Sequence, residues 1–487
     1  MSDYTLNIKS FQSGINEYSA DGLLKPYEAS SAINVKVDDG SFKTTVMPKI
    51  FKEYNGNLHS LVAFFNANDS TSKLFVGLDK KLKEVDGTLE YDIAGSRLDY
   101  LNFQNADKRV MICTSSDDTP FYLQDGAFKK LLNRRPEYND EGEQTGWLDA
   151  NGKHFDKNKE NEITTYAPKG DFIELHYDRL WIAGDKDNPD RLYFSTAGVN
   201  GADINDWTAP VLEAEANMHG GFIDVRSYDG SKIIGLKVIF NNIVVFKNKC
   251  AFKLFGSNPS NYQMIQMFSS NGAIADKSVC VGDNGAFFLN NDGIYFYDGT
   301  NVNLISQKIQ RTISKMNNNY ADKAVGIYSD SKYYIAFPTG NSEKNNCLIE
   351  YNTITKSFMV YDICDVQAII EYKNKIYLSD GKNIRELFVG DEVLNAKWET
   401  PYLDFDKKNT RKLSNYIYFR GKGTGKVRFT CITERKEKTL EVQLTENETL
   451  YRKKLKNKGR MMKLKIENVD GSIEITSPEF MVELDED

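Results

Sequence analysis

The sequence predicts an all-β chain, a β-propeller of about seven blades (six to eight) followed by a small C-terminal β-sandwich, and three observations carry that reading. First, one hairpin pattern recurs at 73–92, 108–131, 178–195, 241–256, 284–306, 332–361 and 374–389. Each copy has an apolar β-rich run, a short turn of Asn, Asp, Gly or Lys, and a second run rich in aromatics. NGAFFLNNDGIYFYDG at 284–299 is the clearest. Second, uninterrupted copies are spaced by roughly 35–47 residues, the length of one four-stranded blade. Third, 27 Tyr and 28 Phe favour strands, while helical periodicity is nearly absent. A sheet repeated radially leaves only short, protected edges, so strands alone can build a chain of 487 residues.

Along the chain, a turn-rich stretch at 13–32 precedes INVKVDDGSFKTTVM, where Asp39-Gly40 between two alternating runs signals a hairpin. That strand pair is placed to complete the last blade and close the ring. The propeller is expected over 1–394, with turns at Gly293 and Gly299 that call for positive φ. A polar insertion interrupts it at about 133–170, with apolar residues only at Trp147, Phe155 and Ile163. It reads either as a solvated loop or small hairpin, or as a partner-binding arm. The irregular stretch 198–218 is expected to link two blades across one face, and 307–316 (QKIQRTISKM) is the one expected helix.

The composition changes near Trp398. From 407 to 465 basic residues outnumber acids several-fold, whereas the last twenty residues are acidic. Short strands such as NYIYFRGKG, KVRFTCIT and RMMKLKIEN, joined by Gly and Lys turns, suit a sandwich over 395–487. Tyr416, Tyr418, Phe419 and Phe429 alternate there like core positions.

A formal net charge of −7 argues against wholesale nucleic-acid binding. MSDYTLNIKSFQSG has no apolar core of signal-peptide length, and nowhere do 18 apolar residues run together, so synthesis in a cytoplasm without membrane insertion is expected. Six cysteines without a CxxC pair read as buried, reduced thiols. The four histidines show no metal-ligand spacing, and HExxH, GxSxG, P-loop and GxGxxG are missing. The chain is therefore expected not to be an enzyme, and no catalytic residue, cofactor or metal ligand is assigned.

The candidate partner-binding residues are Trp147 and Phe155 on the insertion, and Lys407, Lys408, Arg411, Arg452, Lys453, Lys454 and Arg460 in the basic run. The lysines read either as a solvated edge that blocks unwanted strand pairing, or as a positive face toward DNA phosphates or an acidic protein ring.

The strings FIDVRSYDGSKIIGLKVIFNNIVVFKNKCAFKLFG (222–256) and SSNGAIADKSVCVGDNGAFFLNNDGIYFYDGTNVNLIS (269–306) resemble the propeller of tail nozzle or hub proteins of short-tailed bacteriophages, the tail accessory factors of packaged-DNA stabilisation. HYDRLWIAGDKDNPDRLYFS with the later INDW, and the opening GINEYSADGLLKPYEASSAINVKVDDGSFKTT, are similar to that family as well. The resemblance implies a virion structural protein, assembled in the bacterial cytoplasm as a hexameric ring below the portal and adaptor proteins. It would retain packaged double-stranded DNA, pass it without sequence-specific binding, and anchor tail fibres or spikes. The 133–170 insertion and the basic sandwich depart from the family pattern. The alternative reading is a glycan- or protein-binding surface propeller, with exposed aromatic clusters at blade loops, and after it a propeller hydrolase.

Overall fold

In the computed structural model, which describes residues 3–18, 24–66, 71–105, 108–197, 204–208, 219–268 and 271–485, the recurring hairpins are the second and third strands of blades. In the fifth blade Gly285–Asn290 pairs with Gly293–Tyr297, so that Asn290 faces Gly293 across the turn. Gly299 has φ 96, as its turn requires. Gly293 has φ 158, and there close approach also excludes a side chain, since a Cβ would collide with the Ser306 hydroxyl.

Seven four-stranded antiparallel sheets result. The strand that the hairpin pattern leaves out is the first of each blade: Leu58–Phe64, Asp99–Asn105, Phe172–His176, Ile233–Ile239, Cys280–Gly282, Val325–Ser329 and Ala368–Tyr372. These seven touch one another in sequence and the last touches the first, which closes a circuit around one axis. Apolar clusters fill the spaces between blades. Trp181, Phe194, Val245 and Phe252 join the third blade to the fourth, and Val244, Phe246, Phe288 and Tyr295 join the fourth to the fifth. Each sheet thus buries both faces, which explains why its middle strands read as apolar runs rather than as alternation.

The ring closes through Lys49–Glu53, which pairs with Asn383–Glu386 as the outer strand of blade seven. The expected closing element, the hairpin around Asp39-Gly40, does form, from Val35–Lys36 and Phe42–Thr44, but lies elsewhere. Phe42 and Lys43 pair with Ile475 and Glu474 near the C-terminus. Asp3–Asn7 pairs with the same C-terminal strand, and Ser31–Ile33 pairs with Lys397–Glu399. The expected boundary at 394/395 is therefore corrected at the N-terminus, because the strands of the first 44 residues belong with 397–485 rather than with the propeller.

Together these segments make one sheet of six strands and one of five. The two sheets face each other through Phe419 and Phe429, whose ring centroids are 4.7 Å apart. Ile417 and Phe419 point into that core, whereas Tyr416 and Tyr418, expected there too, alternate onto the outer face and are only half-buried. Where the chain passes between this unit and the propeller, the two connecting segments pair through one antiparallel bridge, Val46 opposite Val393: Met47 N donates to Glu392 O (2.8 Å) and Leu394 N to Thr45 O (2.9 Å). Asn34, at φ 58, reinforces the junction. Its amide donates to Asn395 O (3.1 Å) and its carbonyl accepts from Asp362 N (2.8 Å).

The insertion, expected as a solvated loop or small hairpin or as a partner-binding arm, is a three-stranded sheet, Arg134–Tyr138, Gln144–Asp149 and His154–Asp156, followed by a 3-10 turn. The expected helix is a 3-10 turn, Ser306–Ile309, running into one α-turn, Gln310–Ile313. The expected link at 198–218 lies largely outside the described residues. All six cysteines are free, four of them buried. No helix among the described residues is long and apolar enough to cross a membrane.

Candidate functional site

Four charged side chains come together on the propeller axis, three from inner strands and one from a turn, and two of them, Lys237 and Glu174, interrupt otherwise apolar runs. Lys237, from Ile233–Ile239 of blade four, has its Nζ 2.6 Å from Glu174 Oε1 on Phe172–His176 of blade three. Lys277, in the turn before Cys280–Gly282 of blade five, reaches Asp99 Oδ1 at 2.6 Å, on Asp99–Asn105 of blade two. The second Asp99 oxygen accepts from Ile173 N at 3.1 Å. Arg97 and Asp276 extend the cluster at 3.8 Å.

Burial shapes the electrostatics. It opposes the charge of Asp99, but Lys277 and Lys237 outweigh it and hold the carboxyl below its usual range. Lys237 is held above the lysine range because Glu174 and Asp99 overcome its desolvation. Burial pushes the Glu174 carboxyl up, with Lys237 pulling against it. Cys280 beside them is pushed to about 12 by burial, so its thiol stays protonated and is a poor nucleophile. Burial also lowers His59 on the same wall.

Of these groups His59, Arg97, Asp99, Lys237, Asp276, Lys277 and Cys280 line a cavity of about 160 Å³ on the axis. With roughly 30 Å³ per water, it has room for a few solvent molecules and no polymer. A wider mouth of about 420 Å³ opens among Arg97, Asp171, Lys232, Asp276 and Asp322. The arrangement pairs opposite charges and plugs the channel. It presents no nucleophile activated by a neighbouring base, and no metal-holding group of three or more His, Cys, Asp or Glu occurs among the described residues.

The residues singled out from the sequence lie in other sheets. Trp147 is half-buried under Arg134, whose guanidinium carbon is 3.6 Å from the ring centroid and whose Nε reaches Glu160 at 3.0 Å. Phe155 is 9% exposed, so it packs the insertion instead of presenting a contact surface, which corrects the expectation for that residue. Arg452, Lys453 and Lys454 do come together, on Thr449–Gly459 at the edge of the six-stranded sheet, and all three are exposed. Arg452 lies 4.3 Å from the Tyr416 ring and 5.5 Å from Tyr418. Lys407 and Lys408 are exposed in the turn before Arg411–Gly423, Arg411 is exposed at the head of that strand, and Arg460 follows the edge strand.

Lys412, in the same basic run, is fully buried. Its ammonium donates to the carbonyls of Lys407 and Arg460, and so ties the two basic turns together. Sequence reasoning missed Lys412 and the axial cluster. The available signal was a single charge inside an apolar run, as in IIGLKVI and FIELH.

No protein-family model matches the sequence, and no curated protein matches it. Among solved structures the chain is similar to BBS1N from its complex with ARL6DN, at TM-score 0.40 and 9% identity, over 71% of this chain and 97% of that one. It is similar to the Neurospora crassa Pan2 WD40 domain at TM-score 0.37 and 8% identity, over 69% and 91%. It is also similar to PorZ, a surface component of the type-IX secretion system of Porphyromonas gingivalis, at TM-score 0.31 and 10% identity, over 85% and 46%. Likenesses this distant say nothing of this chain's partners, and its architecture rests on its own strand pairing.

Proposed function

We propose that this chain is a non-enzymatic structural protein, the ring subunit of a tail nozzle or hub in a short-tailed phage. It would attach below the portal and adaptor proteins and anchor fibres or spikes. The observation that supports this reading best is the double closure of the fold. Lys49–Glu53 completes blade seven, and the segments on either side of the propeller interleave in one two-sheet unit. A subunit that must hold shape beside pressurised DNA needs this stiffness and needs no chemistry. The plugged axis adds a constraint: DNA would pass between subunits arranged as a ring, not through any one propeller.

The test is to mix the purified protein with DNA-filled heads that lack it. Stable attachment and retention of DNA are expected, and failure of both removes the assignment. A surface-binding propeller is the second reading. It is favoured by Tyr177 and Phe240, 48% and 51% exposed at neighbouring hairpin tips. Saturable glycan binding that is lost in Tyr177→Ala, together with no attachment to heads, would favour it.

A further inference from the structure

Two features of this chain carry exposed charge of opposite sign, and they lie on opposite sides of the propeller. The three-stranded insertion leaves the disc between the outer strand of blade two, Ala127–Lys130, and the inner strand of blade three. It is anchored there by Arg134 N, which donates to Asn205 O (2.8 Å), and by Ala167 N, which donates to Leu131 O (3.0 Å). The two-sheet unit rests instead on the outer strand of blade six, Ser357–Tyr361. There Asn34 N donates to Val360 O (3.0 Å) and Ile15 N to Phe358 O (3.1 Å). In a closed circuit of seven blades, blade six stands opposite the gap between blades two and three.

The insertion ends in a hairpin whose tip is acidic and stiff. Asn139 Oδ1 accepts from Glu141 N (3.1 Å) and Glu143 N (2.8 Å), and Asn139 N donates to Glu143 O (3.0 Å). Asp140, Glu141 and Glu143 are exposed, and none forms an ion pair among the described residues. Beside them Tyr138 is 62% exposed. The six-stranded sheet carries the opposite charge at its far edge. Val35–Lys36, at one end of that sheet, touches blade six, and Thr449–Gly459 is at the other end. Arg452, Lys453, Lys454 and Lys456 are exposed there, again without an ion pair among the described residues. Leu450, 69% exposed, shares the outer face with Arg452 and Lys454, and Tyr418 and Tyr416 pair opposite those two cations. A strand guarded only against unwanted pairing needs charge and no apolar side chain. Leu450 and the two tyrosines give this face an apolar centre within a charged rim, which is the make-up of a contact surface.

We propose that this edge seats the insertion of a second copy of the chain, with Tyr138 against Leu450 and Tyr418, and with Asp140, Glu141 and Glu143 facing Arg452, Lys454 and Lys456. The occupant follows from charge and position. The arm supplies the acids that the edge lacks, and its place across the disc keeps the two from meeting within one molecule. Exposed ion pairs are weak singly and are screened by salt, so the aromatic and aliphatic contact holds the arm while the charges set its register. Arm and edge occupy opposite sides of one subunit, so the contact is head-to-tail and repeats from copy to copy. It closes into a ring or runs on as a filament according to the rotation between neighbours. The inference rests on the ring reading for that closure alone, and it names the contact between subunits.

Light scattering of the full chain is expected to show association that grows with concentration up to millimolar and is reversed in about 1 M salt, where the screening length is about 3 Å. Two charge-reversed proteins then test the contact. One carries Lys454→Glu with Lys456→Glu on the edge, and the other Asp140→Lys, Glu141→Lys and Glu143→Lys on the arm. Each alone is expected to associate at least tenfold more weakly than the parent while melting as the parent does. Mixed in equal amounts they should associate again, because each offers the other an opposite charge at both ends. The proposal is overturned if the parent stays monomeric at millimolar concentration in low salt, if either reversed protein associates like the parent, or if the mixture stays dispersed. It is equally overturned if the edge reversal abolishes binding to a duplex DNA fragment and leaves association untouched, since the edge would then belong to nucleic acid. Association that persists in a protein unable to attach to DNA-filled heads would remove the phage assignment and leave this contact standing.

Discussion

Lys237 Nζ and Glu174 Oε1 meet at 2.6 Å on the propeller axis, which ties blade four to blade three at the one place where every blade converges. Removing one partner of a buried pair strands the other charge, so Lys237→Met is expected to cost roughly 3–5 kcal/mol in urea unfolding. Lys237→Met combined with Glu174→Leu is expected to regain most of that loss. A double variant as unstable as the sum of its singles would show that the two side chains do not act as a pair.

Asp99 and Asp380 are two of the carboxylates that make stability fall in acid. Burial opposes both charges, yet Lys277 and Lys237 around Asp99, and Arg385 with Asn383 N around Asp380, hold both carboxyls below their usual range. A lowered folded-state value adds stability that is whole above the unfolded value of about 3.9 and disappears as pH falls through the folded value. Glu174, pushed up by burial, has the opposite sign and is easier to protonate in the folded state. Melting temperatures are expected to fall below about pH 4. Asp99→Asn should flatten that slope as well as lower the plateau, whereas a purely steric role would lower the plateau alone.

At the junction of the two units, Asn34→Ala is expected to cost about 2–3 kcal/mol, because it removes two side-chain hydrogen bonds and places a less tolerant residue at φ 58. Asn34→Gly relieves the backbone without restoring the bonds and should fall between alanine and the parent. Chemical denaturation of the three proteins tests this order.

The insertion reports on itself through fluorescence. Trp181, Trp207 and Trp398 are fully buried, so acrylamide quenching is expected to reach chiefly Trp147. Arg134→Ala uncovers that ring and should raise the quenching constant about twofold, with a stability loss of about 1 kcal/mol for the stacked pair. Unchanged quenching would mean that Arg134 does not shield it.

Local chemistry made much of the propeller readable. Asn290-to-Gly293 and Tyr177-Asp178 turns sit between aromatic runs because tight turns and buried strands have strong residue preferences, and both signals are local. The inner strands were missed because Cys280–Gly282 has three residues and Phe172–His176 carries Glu174, so neither shows a clean period. The basic edge at Arg452–Lys454 was visible as composition. The burial of Lys412 within the same run was not, since one of its two carbonyl partners, Arg460, lies 48 positions away and meets it only when the two strands pair.

Strand content, turn positions, a blade count of six to eight and the absence of catalytic motifs were all written in neighbouring residues, while the count of seven came from the strand pairing. Which strand closes the ring was not written there. Lys49–Glu53 and Phe42–Thr44 are adjacent, similar in propensity and equally able to pair, yet one joins residues 383–386 and the other residues 474–475. That choice depends on which distant edge each strand can reach once the blades have packed, and a contact between residues more than 300 positions apart leaves no periodic trace in either segment. The axial cluster has the same origin, because Asp99, Glu174, Lys237 and Lys277 become neighbours only when separate blades converge on one axis.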